Sequence, residues 1–478
     1  MKLSLNKYLL VYQFAQVNYP LMDRLLVLAE IEAFAKTLTL PVGFFNPQQF
    51  FETDEGMEAK LYVIDEVAFY LHQIQDPGYL ITLIQKIFDW KQASNSYYIF
   101  LNSQSIELPE QFFPIIPTLF WPLPTESEIK AILQESLGYE HQTLCTLCSG
   151  LSFEELRTGL ELLKISDRSQ EKQLLEYKQE QLKRMGLDFL PIPSLAEFGG
   201  LDLLKKAIHH VKLDYESRAT QLNIPLPKGW LLVGPPGTGK TFASKCCAAI
   251  LNFPLLIIGV DLIKSKGAAY LKELLIRIEA SAPVVCYFDE FDKFFDPDAA
   301  LNGTNKDVLG VLLTWFQEKV SKTFVIATLN RLDALPPELT RAGRFDKIFY
   351  VGFPQAIERQ EIVKLHASRF DSTYSFGDRL STQDWQIFLN QTHNSTGAEL
   401  QAIVTEAARR QYHENPCLDA ISLELEDLLV ARKQISSLFS RDPERVLAMQ
   451  NRAKNISEQT SSTDRSIYAP KEVSLWDY

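Results

Sequence analysis

Residues 234–241 read Gly234-Pro235-Pro236-Gly237-Thr238-Gly239-Lys240-Thr241, a G-x-x-x-x-G-K-T spacing suited to cradling phosphate. The glycines let backbone N–H groups wrap an anion without Cβ clashes, and a helix starting at the end of the run adds a favourable dipole. Lys240 can then reach the β- and γ-phosphates of ATP, and the Thr241 hydroxyl is a magnesium ligand. Downstream, Val284-Val285-Cys286-Tyr287-Phe288-Asp289-Glu290 is an apolar run ending in two acids, Asp289 lying 49 residues after Lys240. A buried strand would place Asp289 at its carboxyl end as a second magnesium ligand, with Glu290 beside it to polarise an attacking water as general base. Both halves of a hydrolytic site are present.

These residues need strands behind them and helices between the strands. Trp230-Leu231-Leu232-Val233 reads as a short buried strand and Phe242–Ile250 as the helix after the loop. Thr323-Phe324-Val325-Ile326-Ala327 is a further strand, leading to Asn330. Strands alternating with helices predict an α/β fold with a parallel sheet.

The next stretch, Leu335-Pro336-Pro337-Glu338-Leu339-Thr340-Arg341-Ala342-Gly343-Arg344-Phe345-Asp346, carries two arginines. Here the sequence resembles the AAA ATPases over about residues 190–435. The resemblance implies that Asn330 orients the lytic water and that Arg344 is an arginine finger inserted into a neighbouring subunit. An arginine supplied in trans is worth about 10³–10⁵ in rate, so the resemblance implies a homo-oligomer, expected as a hexamer. It also implies that Phe198-Gly199-Gly200 covers the adenine, that His366 in Lys364-Leu365-His366 approaches the base, and that Thr396-Gly397-Ala398-Glu399-Leu400 opens a lid helix. A satisfied helical histidine competes with the role of His366, and a surface salt bridge with a catalytic role for Arg341. Lys347 stands where many relatives carry a second arginine.

One departure concerns Ile263-Lys264-Ser265-Lys266-Gly267-Ala268-Ala269, read as the loop between the two nucleotide motifs. Protein-threading relatives place an aromatic residue before a glycine there. This chain has none, and Lys264 and Lys266 read either as solvated lysines or as the lining of a pore for an acidic partner.

The first third repeats the order of motifs without the phosphate loop. Leu61-Tyr62-Val63-Ile64-Asp65-Glu66 parallels the strand into Asp289, and Tyr97-Tyr98-Ile99-Phe100-Leu101-Asn102 the strand into Asn330. The acid-to-asparagine separations are similar, 37 and 41 residues. Phe120–Pro124 with the helical pattern to Leu137 parallels Val351–Pro354 and its helix, and Leu151–Leu156 parallels Thr396–Leu400. The expected organisation is a degenerate AAA-like domain at 1–165, a helical linker at 166–193 and an AAA large domain at 194–354. A helical lid at 355–435 and a C-terminal helix with a flexible tail at 436–478 complete it. Leu187–Pro193 reads as linker, Ser457–Asp464 as a flexible stretch and Ser474–Tyr478 as a frayed tip. The whole order of motifs, with Thr314-Trp315-Phe316-Gln317-Glu318-Lys319 before the Asn330 strand, looks most like the AAA group of cyanobacteria and plastids named as a hypothetical chloroplast open reading frame.

Composition narrows the function classes. The 478 residues carry 48 Lys+Arg and 60 Asp+Glu, a formal charge of −12, with 46% hydrophobic residues. Residues 1–170 hold 11 basic and 21 acidic residues, so most of the acidity belongs to the first third. Such a front has no general attraction for phosphate backbones, and no nucleic-acid partner is expected. Six cysteines, two of them adjacent at Cys246 and Cys247, suit a reducing compartment, cytoplasmic or plastid stroma. Cys145-Thr-Leu-Cys148 reads as two half-buried helical cysteines rather than a zinc or redox pair. Leu9-Leu10-Val11-Tyr12 reads as a buried strand rather than part of a leader. Four prolines in Gln111–Thr125 count against a membrane helix, and no membrane span is expected. The expected activity is ATP hydrolysis with magnesium, used to move an unknown protein partner. The alternative is a nucleotide-gated scaffold with little turnover.

Overall fold

The structure, a computed structural model, describes residues 5–52, 60–74, 76–93, 96–103, 106, 108–112, 114–139, 142–165, 169–193, 199–295, 304–332, 335–341, 344–377, 379–417 and 419–469. Phe198, Ala342, Gly343 and the tip Ser474–Tyr478 lie outside the described residues. The chain groups into two compact units: Met1–Asp188 with Asp261–Ala282 and Gly303–Trp315, and Phe189–Val260 with Pro283–Asn302 and Phe316–Tyr478.

In the first unit, β1 (Phe14–Asn18), β2 (Val42–Phe45), β3 (Leu61–Asp65), β4 (Tyr97–Asn102) and β5 (Thr118–Phe120) form one sheet in the order β2-β3-β4-β1-β5. All its pairings are parallel, in the register Phe14↔Tyr98, Gln16↔Thr118 and Leu61↔Tyr97. A parallel sheet must be covered on both faces, and alternate residues do this. Phe14, Tyr62 and Tyr98 join Phe50 and Phe100 on one side, with Phe14 and Tyr98 stacked at 4.3 Å. Val17, Val63 and Ile99 meet Val27, Ile31 and Phe34 on the other.

The strand expected at Leu9–Tyr12 is instead the end of a helix, Leu5–Tyr12, in which Leu9 is buried and Leu10 and Val11 are exposed. Gln13 at φ +62° stops that helix, and the strand is the next five residues. A four-residue apolar run fits either element. Here the true strand was disguised by Gln16 and Asn18, buried polar residues bonded to each other at 2.9 Å.

Four helices follow β5: Glu126–Leu137, Gln142–Cys148, Phe153–Ile165 and Gln170–Arg184. The first has a capping box between Thr125 and Glu128. The third starts under Asp23, whose carboxylate accepts from Trp121 Nε1 (3.1 Å), Ser152 Oγ (2.9 Å) and the Glu154 amide (2.9 Å). Cys145 and Cys148 are free thiols in the second helix, more deeply buried than expected. Among the described residues no three metal-ligating side chains gather.

The segment Ile263–Ala269, expected as a loop, is helical. Val260–Lys266 forms one helix and Ala268–Ala280 another, separated by Gly267 at φ +84°. Asp261 in the first turn and Lys264 and Lys266 in the last complement that short helix's dipole, and Lys266 sits 4.5 Å over the Tyr270 ring. Within the first unit the second of these helices presents Arg277, which is buried, paired with Glu155 and donating to Gly150 O at 3.2 Å.

The second sheet contains β6 (Leu187–Leu190), β7 (Gly229–Val233), β8 (Leu255–Ile258), β9 (Val284–Phe288), β10 (Thr323–Leu329), β11 (Lys347–Tyr350) and β12 (Glu458–Gln459), in the order β12-β11-β7-β10-β9-β8-β6. Two expectations change here. The supposed linker Leu187–Pro193 begins as strand β6, and the supposed flexible stretch Ser457–Asp464 supplies β12, parallel to β11 with Tyr350 opposite Gln459. Four residues, Leu187-Asp188-Phe189-Leu190, and two, Glu458-Gln459, are too few to establish the alternation that reveals a strand in sequence. The helices Ala356–Ala367, Thr382–Gln391, Gly397–Glu414 and Leu425–Gln434, in the stretch expected to form a lid, close around Trp385, Phe388, Leu400 and Val404.

The fold is α/β, and its two sheets share one plan. β7 lies between β10 and β11, and β9 between β10 and β8, as β1 lies between β4 and β5, and β3 between β4 and β2. Asp65, Glu66 and Asn102 stand at the strand ends where Asp289, Glu290 and Asn330 stand in the second sheet. Even the strained backbone matches, with φ +53° at Glu66 and +50° at Glu290. Arg24, first residue of helix Arg24–Leu38, takes the place of Lys240, first residue of helix Lys240–Leu251.

Candidate active site

The loop 234–239 joins β7 to helix Lys240–Leu251 at the carboxyl edge of the sheet, where open α/β sheets bind ligands. Gly234 is pressed so closely on its neighbour that a Cβ would lie 2.1 Å from Val351 O, while Gly237 (φ +80°) and Gly239 (φ +101°) take backbone angles that side chains resist. Lys240 is buried and donates three hydrogen bonds, to Gly234 O (2.7 Å), Pro235 O (2.9 Å) and Asn330 Oδ1 (2.8 Å). Burial pulls its pKa down to about 8 against the opposing pull of Asp289, Asp292 and Glu290. A lysine so desolvated gains from an anion placed on the loop.

Strand β9 delivers the acids. Alternation puts Tyr287 and Asp289 on one face, and the Tyr287 hydroxyl donates to Asp289 Oδ1 at 2.8 Å while lying 3.1 Å from Thr241 Oγ1. Thr328, beside Asp289 on β10, donates to the same oxygen at 2.7 Å. Burial pushes the Tyr287 phenol well above its ordinary value, so it stays protonated. Thr241 and Asp289 therefore stand together with their oxygens oriented, the hard oxygen donors magnesium takes.

Glu290 leaves the strand in a left-handed conformation, a strained backbone of the kind that persists at functional sites. Its carboxylate pairs with Lys293 (2.6 Å) and receives Asn330 Nδ2 (3.4 Å). Asn330 thus links Lys240 to Glu290, and its own amide is held by Asp292 at 3.2 Å.

These groups line a cavity of about 1070 Å³. Pro236 to Thr241, Asp289, Glu290 and Asn330 face it. Gly199, Leu201, Ile362 and His366 line it as well. Gly200 (φ +63°) sits between two lining residues and its amide donates to Glu361 at 3.0 Å. His366 Nδ1 is buried without a hydrogen-bond partner, so the satisfied-histidine reading does not hold. Burial, then Arg369, lowers its pKa and keeps it neutral. The ring lines the cavity while Nδ1 itself is shielded from it.

Arg344 does not line this cavity, and its guanidinium donates to Glu338 O. Arg341 is exposed. Lys347, in the place of a second arginine, pairs with Glu458 at 2.8 Å. Sequence reading missed Tyr287, Thr328 and the contribution of residues 459–461, which also line the cavity. The first two were accessible in principle, since Tyr287 is two residues before Asp289.

A family model for AAA, the ATPase family associated with various cellular activities, matches residues 230–353. The chain is 34% identical over 342 residues to the AAA domain-containing protein ycf46 of Guillardia theta, covering 67% of each chain. With the ycf46 protein of Pyropia yezoensis it shares 28% over 441 residues, 86% of this chain and 85% of that one. The proteasome-activating nucleotidase of Methanocaldococcus jannaschii is 29% identical over 276 residues, 54% of this chain and 63% of its own length. With the loop, both acids and Asn330 all inside the matched segment, the chain belongs to the ycf46 group of the AAA ATPase family.

Proposed function

We propose that the chain binds ATP in the Lys240 cavity and hydrolyses it to ADP and phosphate, using the cycle to remodel or regulate a protein partner. The observation that carries this is the continuous contact from Lys240 through Asn330 to Glu290 beside the oriented pair Thr241 and Asp289. The loop amides and Lys240 hold the β- and γ-phosphates. Asn330 fixes the orientation of Glu290, which accepts a proton from the attacking water. Magnesium, held by Thr241 and Asp289, supplies charge neutralisation at the phosphates when bound. Gly200 and His366 stand at the base end.

Arg344 is proposed to complete the site of a neighbouring copy in a homo-oligomer, a hexamer in this reading. Its absence from its own chain's cavity supports action in trans. Hydrolysis then depends on assembly, and specific activity is expected to rise with protein concentration. The missing aromatic residue before Gly267 favours the second reading, a nucleotide-gated scaffold, for which partner affinity differs among ATP, ADP and nucleotide-free states.

Phosphate release separates these. Glu290→Gln is expected to lower turnover at least ~100-fold, the scale of a general base, while keeping ATP binding. Turnover equal to the parent would overturn the assignment.

A further inference from the structure

We infer that the C-terminal strap Glu458–Asp464 is a working wall of the nucleotide cavity, holding the lid helix against the Leu201 turn so that the site keeps its affinity. The inference rests on the reading of that cavity as a nucleotide site.

β12 pairs with β11, which pairs with β7, the strand that ends in the phosphate loop. All three run parallel, so the strap leaves the sheet at the same carboxyl edge as the loop, two strand spacings or roughly 10 Å away. That is the order of distance a nucleotide extends from its phosphates towards its base. Gln459, Thr460 and Ser461 accordingly face the cavity that the loop also lines.

The strap's polar groups reach both the lid helix and the Leu201 turn. Glu358, in the first turn of lid helix Ala356–Ala367, accepts three hydrogen bonds: from Ser461 Oγ (2.6 Å), from the Leu201 amide (3.1 Å) and from the Gln355 amide (2.9 Å). One carboxylate thus joins the strap, the turn at the base end and the lid. The strap repeats the connection on each side. The Ser462 amide donates to Asp202 at 2.8 Å, the Leu204 amide donates to Thr460 O at 3.1 Å, and Asp464 accepts from the Ile357 amide at 3.1 Å. Gln355 donates to Ser462 O and receives the Asp464 amide. The run Gln459-Thr460-Ser461-Ser462 reads as low-complexity polar chain, yet the Thr460 hydroxyl donates to Tyr350 O on β11, and the Thr460 carbonyl, the Ser461 hydroxyl and the Ser462 amide are taken up by the lid and the Leu201 turn. A tail that merely capped a sheet edge would have no reason to reach Glu358, Asp202 and Gln355.

Titrating the full chain with a fluorescent ADP analogue tests this. Ser461→Ala removes the hydroxyl given to Glu358 and is expected to weaken binding roughly tenfold, the loss of one hydrogen bond to a charged acceptor. Ser462→Pro removes the amide given to Asp202 and is expected to weaken it further. Parental affinity in Ser461→Ala would overturn the inference, whether or not Ser462→Pro folds. Lys240→Ala serves as the control: if the parent itself binds no ADP analogue, or Lys240→Ala binds as the parent does, it is the underlying reading of the cavity that fails.

Discussion

Tyr287 brings one hydroxyl to 2.8 Å from Asp289 and 3.1 Å from Thr241, the two residues proposed to hold magnesium. No phosphate-binding motif includes it. Outer partners of this kind orient metal ligands, and removing them typically costs 10–100-fold in metal affinity. Tyr287→Phe is therefore expected to raise, about tenfold or more, the magnesium concentration needed for half-maximal nucleotide binding while leaving the metal-free nucleotide affinity near that of the parent. An unchanged magnesium requirement would contradict this. The contrast with Lys240, Asp289 and Glu290 explains what was legible. Those residues were found because glycine spacing and a strand-end acid pair impose their own local geometry. A tyrosine inside an apolar run reads as core filling, and only its parity with Asp289 hints otherwise. His366 was undecided for the same reason, since its missing partner is visible only in three dimensions.

Elements with a hydrophobic period of their own were legible: β7, β9 and β10 and the helix after the phosphate loop lie where their apolar runs put them. The misread segments Leu9–Tyr12, Ile263–Ala269, Leu187–Leu190 and Glu458–Gln459 are short, and their state is decided by distant partners. The strap carries a pH signature. Burial raises the Asp464 carboxyl, but hydrogen bonds from Ser466 and Ile357 more than offset this, and its pKa is lowered below the ordinary 3.8. A carboxylate lowered by folding contributes stability above its unfolded pKa and loses it as pH falls through the folded one. The stability gap between the parent and Asp464→Asn should accordingly be full at pH 6 and shrink below pH 3.8 in thermal unfolding. A gap independent of pH would rule out that origin. In the first unit, Arg277 and Glu155 form a buried pair. Arg277→Ala leaves a carboxylate buried and uncompensated and should cost about 3–5 kcal/mol in chemical denaturation. A cost under ~1 kcal/mol would mean water already reaches the pair.

At the scale of the molecule, one strand plan occurs twice with opposite outcomes. In the second sheet a six-residue glycine loop leads into Lys240, leaving room for an anion. In the first the corresponding loop is five residues without glycine, and Arg24 donates to both oxygens of Asp65 at 3.0 and 2.7 Å and to Tyr19 at 2.8 Å. A cation and an acid that would otherwise meet phosphate and metal neutralise each other. We propose that the first unit is a copy in which this ion pair replaced nucleotide, and that its acidic surface, 11 basic against 21 acidic residues over 1–170, faces the partner. The repeat was visible in the order of motifs, but Arg24 was not, because only the shared strand order aligns it with Lys240. One nucleotide site per chain, built on Lys240, is therefore expected. Equilibrium titration of the full-length Glu290→Gln variant with ATP and magnesium tests it most directly. One ATP per chain is expected, with loss of that equivalent when Lys240→Ala is added. A second equivalent, or binding that survives Lys240→Ala, would contradict it.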